Sequence, residues 1–317
     1  MRMLCEESNI KSLTVIMNHN LFIPSFAALS HFFFGIYVFR LKPRQSVQTI
    51  FFILNLLLSL WMLIQVGRSF LPIPFRNFAL NLTFLPISFA PFTLYVLFKK
   101  IENKDKGIPV WTSIVNFFGS IFILYTCLSQ RMATLKDPVN FIFDLNLNYH
   151  FLVAYLSFWM FMAIGTVTRT MLVKRGDFRV RLFIVLLGAA LVLPITTAFV
   201  YFLPLFGIYK PYLSSAGLIF ASILWAVAIL HYDAFEIKAQ VLNGKDVLFL
   251  NRAASFGFLK LLEKLDPMRF IQRSAREKEE ITKQILIQDY NLAEKTGELS
   301  VEKRARILSK KFGKYFK

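Results

Sequence analysis

A chain of 317 residues in which 56% are hydrophobic, 36 are phenylalanine and only 18% are charged has too little polar surface to cover a soluble core, because ordinary soluble domains carry about a quarter charged residues. A mean hydropathy of +0.53 places it in the membrane class. The formal charge of +18 has the size of a nucleic-acid binder's, but it coexists with long stretches that hold no charge, so its placement decides its meaning.

Hydrocarbon about 30 Å thick needs roughly 20 apolar residues in a helix. Seven stretches qualify: Leu21–Phe39, Val47–Val66, Phe78–Phe98, Ile108–Leu128, Phe151–Val173, Leu182–Phe206 and Tyr212–Leu230. The predicted fold class is therefore all-α, a polytopic membrane protein with a short arm (1–20), a seven-helix transmembrane domain (21–231) and a helical tail (232–317). Pro86 and Pro91 interrupt the third span and Pro194 the sixth; each removes a backbone donor and predicts a kink.

The connections alternate in charge. One side holds Arg40, Lys42, Arg44, Lys99, Lys100, Lys104, Lys106, Arg169, Lys174, Arg175, Arg179 and Arg181, against Arg2, Lys11, Arg68, Arg76, Arg131, Lys136 and Lys210 on the other. That is 12 against 7, and the remaining 18 basic residues follow the last span. The positive-inside bias then predicts a cytoplasmic (inner) membrane protein with its amino terminus outside and its carboxyl terminus in the cytoplasm. The first 20 residues, with Glu6 and Glu7 ahead of a short apolar run, do not read as a cleavable signal. Cys5 and Cys127 both fall on or near the outer face, and whether they join is left open.

All 19 acidic residues lie outside the seven spans, whereas proton-coupled carriers, pumps and intramembrane proteases usually keep an ionisable group in the bilayer. His31 is the ionisable group near mid-depth and reads as a hydrogen-bonding contact between helices, with a proton relay as the rival. Four histidines without metal-ligand spacing and the lack of a glycine-rich phosphate loop predict no metal, no cofactor and no enzymatic activity. Serines and threonines in the spans read as helix packing. A ligand site is sketched from the outer halves of the helices, which gather Gln65, Arg68, Asn77, Asn81, Thr196, Thr197, Tyr201 and Lys210. Arg68 and Lys210 would suit an anionic group, or would simply anchor helix ends at the headgroups.

The tail is a separate module with 18 basic and 12 acidic residues. Ala254, Phe258, Leu261, Leu262 and Leu265 form an apolar stripe on a helix over Asp246–Leu265 that Pro267 ends. Ser274 and Glu277 have capping-box spacing and predict a second helix to about Lys295, and a third spans Val301 to Phe312. Lys303, Arg304, Arg306, Lys310, Lys311, Lys314 and Lys317, interleaved with Phe312, Tyr315 and Phe316, predict contact with anionic headgroups at roughly 1 kcal/mol per basic residue. Lipid is favoured over nucleic acid because the spans hold this tail at a bilayer.

Trp61, the basic connection from Lys174 through Gly176, Asp177 and Phe178 to Arg181, and the exit from His231 through Tyr232, Asp233 and Phe235 to Ile237 resemble the seven-transmembrane amino-terminal sensor region of bacterial histidine kinases. The resemblance covers about two thirds of the chain, residues 20 to 240, and implies a sensory role for an extracytoplasmic or membrane cue. The chain departs from that family where output begins. No histidine follows His231, and 86 residues are too few for an ATP-binding domain, so a phosphoacceptor and kinase activity are not expected. The resulting expectation is a membrane sensor that relays its cue to a separate cytoplasmic signalling protein, with homodimerisation left open. The alternative is a small-molecule carrier or lipid-handling protein lined by the kinked third and sixth helices; no internal repeat supports it.

Overall fold

The computed structural model describes residues 2–40, 45–102, 107–138, 141–230, 249–295 and 300–312. Lys42, Arg44, Lys104, Lys106, the exit His231 to Ile237, Lys314, Lys317 and the side chains of Cys5 and Lys311 lie outside the described residues. The chain is all-α, and seven of its described helices are long and apolar enough to cross a membrane. They are α1 (Arg2–Arg40), α2 (Ser46–Gly67), α3 (Ile73–Glu102), α4 (Val110–Leu128), α5 (Leu147–Val173), α6 (Asp177–Thr197) and α7 (Ser214–Leu230). A hairpin of β1 (Thr134–Asp137) and β2 (Ile142–Asp144) joins α4 to α5. The tail supplies α8 (Phe249–Leu265), α9 (Pro267–Lys295) and α10 (Val301–Phe312). The chain divides into two compact units, one of residues 1–173 with 182–230 and the other of 174–181 with 231–317.

In the first unit α2 packs on α1 and α3, and α3 also packs on α4 and α5, while α7 rests on α1 and α2. Alpha-helical sides too apolar to face water are left uncovered: α4 exposes Trp111, Ile114, Phe117, Phe118, Ile121 and Tyr125, a surface only a bilayer can solvate. Small residues set the close approaches. A Cβ on Gly119 would meet the Tyr155 ring of α5 at 2.3 Å, and one on Gly188 of α6 would lie 2.5 Å from Trp225 Nε1 of α7, whose N–H donates to the Val185 carbonyl at 3.1 Å. Polar groups pin the helices internally. His31 Nδ1 lies 3.1 Å from Asn55 Oδ1 and 3.1 Å from Ser222 Oγ, joining α1, α2 and α7, and Ser59 Oγ donates to the Ala28 carbonyl at 2.9 Å. His31 is thus an interhelical contact, and the hydroxyls of Thr83, Thr93, Thr126, Thr166 and Thr170 bond carbonyls one turn back on their own helices.

Where the spans differ from expectation, the ends do. Helix α3 begins at Ile73, five residues before Phe78, because Pro74 sits in the first turn, where no N–H is required. Helix α6 begins at Asp177, since Gly176, with a left-handed φ of +72°, turns the chain after α5 has ended and its carbonyl accepts the Arg179 and Val180 N–H groups at 3.0 and 3.3 Å. Pro86, Pro91 and Pro194 all remain inside helices. Beyond Pro194 the coil widens into a π turn over Ala198–Phe202 before a last turn at Leu203–Leu205, one of the recognised sources of a helix bend.

The second unit corrects one tail boundary. Pro267 ends α8 and also starts α9, seven residues before Ser274, because Asp266 acts as the cap: its carboxylate accepts the Arg269 N–H at 3.3 Å, and proline is favoured at the first helical position. Ser274 therefore sits inside α9. Phe258, Leu259 and Leu262 of α8 and Ile281 of α9 are buried where these helices pack, and Phe312 is buried on α10, which packs on α9. The connection 174–181 belongs to this unit. Asp266 Oδ2 accepts the Gly176 N–H at 2.8 Å, and Arg273 pairs with Asp177.

Candidate ligand cavity

The connections after α2, α4 and α6 are tied together at one end of the first unit. Asn77 and Asn81 lie one turn apart on α3, so both amides point to the segment leaving α4. Asn81 is fully buried; its Oδ1 accepts the N–H groups of Met132 and Ala133 at 3.0 Å each, while its Nδ2 donates to the Ala133 carbonyl at 2.9 Å. Asn77 Oδ1 accepts the Leu135 N–H at 3.0 Å and its Nδ2 donates to Gln130 Oε1 at 2.8 Å. Arg76 donates to the carbonyls of Leu71 and Pro138 at 2.9 and 2.7 Å. On the hairpin Lys136 meets Asp144 at 2.7 Å, which raises the Lys136 pKa through hydrogen bonding and charge. Tyr209 donates to the Phe143 carbonyl at 2.9 Å.

Beside this layer lies a partly open cavity of about 130 Å³, lined by α2, α3, α5, α6, the π turn and α7. Its body is apolar, with Leu54, Leu58 and Trp61 of α2, Leu80, Phe84 and Leu94 of α3 and Trp225 of α7 on the wall. The widened turn contributes Val200 and Tyr201, held from α5 by Tyr149, whose hydroxyl donates to the Val200 carbonyl, and by His150, whose Nδ1 lies 3.0 Å from the Tyr201 hydroxyl. Such turns recur at functional sites because they move a side chain off the helical register. Pro91 lines the wall as well, and Thr196, next to the bend after Pro194, bonds the Val192 carbonyl at 2.7 Å.

Of the residues chosen from sequence, Gln65, Arg68, Thr196, Thr197 and Tyr201 line this cavity, while Asn77, Asn81 and Lys210 do not. The two asparagines are engaged by the hairpin segment, and Lys210 is exposed. Sequence reading missed the apolar wall and Tyr149. An i, i+4, i+7 set of large apolar residues on α2, Leu54, Leu58 and Trp61, looks the same whether it packs a core or bounds a void. Among the cavity's polar groups, Tyr149 and Thr83 have partners, whereas the side chains of Arg68 and Gln65 have no hydrogen bond among the described residues. Only 8% of Arg68 is exposed, its Nε lacks a partner, and its guanidinium stacks 4.4 Å from the centre of the Phe141 ring. Arg76 lies over the same ring at 5.5 Å. Gln65 sits in the last turn of α2 and Arg68, three residues on, is its C-cap and still in the right-handed helical region, so they present an amide and a guanidinium to the same end of the apolar space.

Among the described residues no group of three or more His, Cys, Asp or Glu is placed to hold a metal ion. On the tail, Lys303, Arg306 and Lys310 are exposed at i, i+3 and i+7 of α10, but Arg304 turns to Asp289 of α9 at 3.6 Å and is withdrawn from that face. No family model, no curated protein and no solved structure matches this chain, so its function rests on the geometry of this cavity and its surroundings.

Proposed function

We propose that this protein is a sensor of the cytoplasmic membrane that relays a cue, taken up in the cavity, to a separate cytoplasmic signalling protein through its tail, without catalytic chemistry of its own. The observation that carries the reading is the course of α6. Its first residue, Asp177, pairs with Arg273 of the tail unit, and the same helix carries Val192, Leu193, Thr196 and Thr197 to the cavity wall. Occupation of a cavity beside Pro194 and a π turn would bias the bend of that helix, whose first residue belongs to the tail unit. The basic excess on the tail side supports an outside amino terminus and a cytoplasmic carboxyl terminus, and the face of Lys303, Arg306 and Lys310 supports contact between α10 and anionic headgroups.

The rival reading is a carrier, and the position of Pro91 and the bent end of α6 on the wall favours it specifically. The test is photo-cross-linking from exposed positions of α9, such as Leu286 and Tyr290, in cells. Recovery of a signalling protein supports the sensor; recovery of lipid-biosynthesis enzymes alone, with solute flux in liposomes made from the purified protein, replaces it with the carrier.

A further inference from the structure

The cavity specifies the chemistry of its occupant. We infer that it binds a small monocarboxylate with an apolar body of about six to eight carbons, its carboxylate held by Arg68 and Gln65. This rests on the cavity's being the site of the cue, as proposed above.

Size sets the first limit. A dry apolar cavity of about 150 Å³ holds one benzene-sized molecule, and this one, at about 130 Å³, is of the same order. The wall of Leu54, Leu58, Trp61, Leu80 and Leu94 offers such a body dispersion contacts and no hydrogen bonds. Charge sets the second. The Arg68 side chain is a buried cation without a carboxylate partner or a hydrogen bond among the described residues. The Phe141 ring face satisfies it only in part, and a buried ion without a partner is costly. The planar fork of a guanidinium matches a carboxylate in bidentate fashion, and Gln65, one turn earlier on the same face, supplies an amide donor. A dianion such as a phosphate monoester at neutral pH would need a second free cation. Arg76, the next nearest over Phe141, already donates to the carbonyls of Leu71, Pro138 and Ser69. Arg68 is the one cation that lines the cavity among the described residues, and a monoanion matches its single charge.

Trp61 and Trp225 on the wall report occupancy directly. In the full-length protein in phosphatidylcholine nanodiscs, p-nitrobenzoate is expected to quench tryptophan fluorescence saturably, and unlabelled benzoate to reverse the quenching. The uncharged isosteres p-nitrobenzamide and benzamide should bind about tenfold to a hundredfold more weakly, as loss of a charged hydrogen-bond pair implies. R68Q should show the same loss for p-nitrobenzoate and a much smaller one for p-nitrobenzamide, and A90F, which fills the cavity, should abolish both. Non-saturable quenching of the wild-type protein, or equal displacement by benzoate and benzamide, overturns the proposal without reference to any variant's folding. Displacement by a long-chain fatty acid alone assigns the site to a membrane lipid and overturns it as well. Benzoate binding that leaves hydrogen exchange of α8 to α10 unchanged would preserve this ligand class and remove the sensor reading.

Discussion

Replacement of Asn81 by leucine tests whether the layer beside the cavity is held as the geometry requires. The substitution keeps the side-chain volume close to the original and deletes an amide oxygen that accepts two backbone N–H groups, from Met132 and Ala133, at a position with no solvent exposure. Stranding a buried donor costs about 1–3 kcal/mol. Two donors therefore give about 2–4 kcal/mol once some relaxation is allowed. Cys127 is a built-in reporter, since it is buried in the last turn of α4, four residues before Arg131, and is a free thiol. With Cys5 changed to serine, maleimide should label Cys127 of the N81L protein in native membranes about thirtyfold to a thousandfold faster than in the parent, each 1.4 kcal/mol being a factor of ten in the opening equilibrium. Asn77→Leu loses a single backbone acceptor bond, to Leu135, at a partly exposed site, so a smaller increase of about tenfold or less is expected. Equal labelling of parent and N81L, with equal melting temperatures, would refute the claim that Asn81 holds the segment from Met132 to the hairpin.

Gly188→Leu must push the Trp225 indole away and break its bond to Val185, costing about 1–3 kcal/mol in overpacking; a lower melting temperature with a shifted tryptophan emission checks it, and an unchanged spectrum counts against the packing. The hairpin pair gives a pH dependence. Because Asp144 raises the Lys136 pKa, its contribution is present at neutral pH and is lost as pH rises through the elevated lysine value; amide protection of Leu135 and Phe143 should fall above the ordinary lysine range in the parent and not in Lys136→Met. On α9 the sign is opposite: Lys283 lowers the Glu279 pKa, so helix support is present above the ordinary glutamate range and is lost as pH falls through the depressed value. Circular dichroism of Glu279→Gln should lack that acid step. Asp177→Asn removes the partner of Arg273, a partly exposed pair, and should cost about 1 kcal/mol or less, read as faster trypsin cleavage after Lys174 and Arg175.

How far the sequence discloses this molecule depends on the length scale of the signal. Seven apolar runs near 20 residues are legible because the thickness of hydrocarbon imposes the count, and composition alone carries it. The hairpin was hidden by the same emphasis: Pro138 marks a turn after Thr134–Asp137, yet a short strand pair between two spans reads as connection when hydropathy is the measure. The candidate site divides along a similar line. Arg68 and Gln65 could be picked out because a charge and an amide near the end of an apolar run are rare. Asn77 and Asn81 satisfied the same criterion, but their spacing of four on α3 has a second meaning: two stacked amides are what a helix offers to the backbone of a neighbouring segment, and backbone N–H groups with no ladder partner claimed them. Lys210 failed for the opposite reason. A long flexible cation in a connection can reach solvent, and nothing in the wall of the cavity holds it. What separates Arg68 from the other cations is that α2 continues to Gly67 and turns immediately into the Arg68–Phe70 turn, leaving the guanidinium enclosed by Phe141 from a loop that lies more than 70 positions later in the chain. That enclosure is a tertiary fact. It makes a residue that the sequence presents as one more headgroup anchor into a buried charge in want of an anion, and a ligand supplying that anion should raise the stability of the whole first unit with the logarithm of its concentration above Kd.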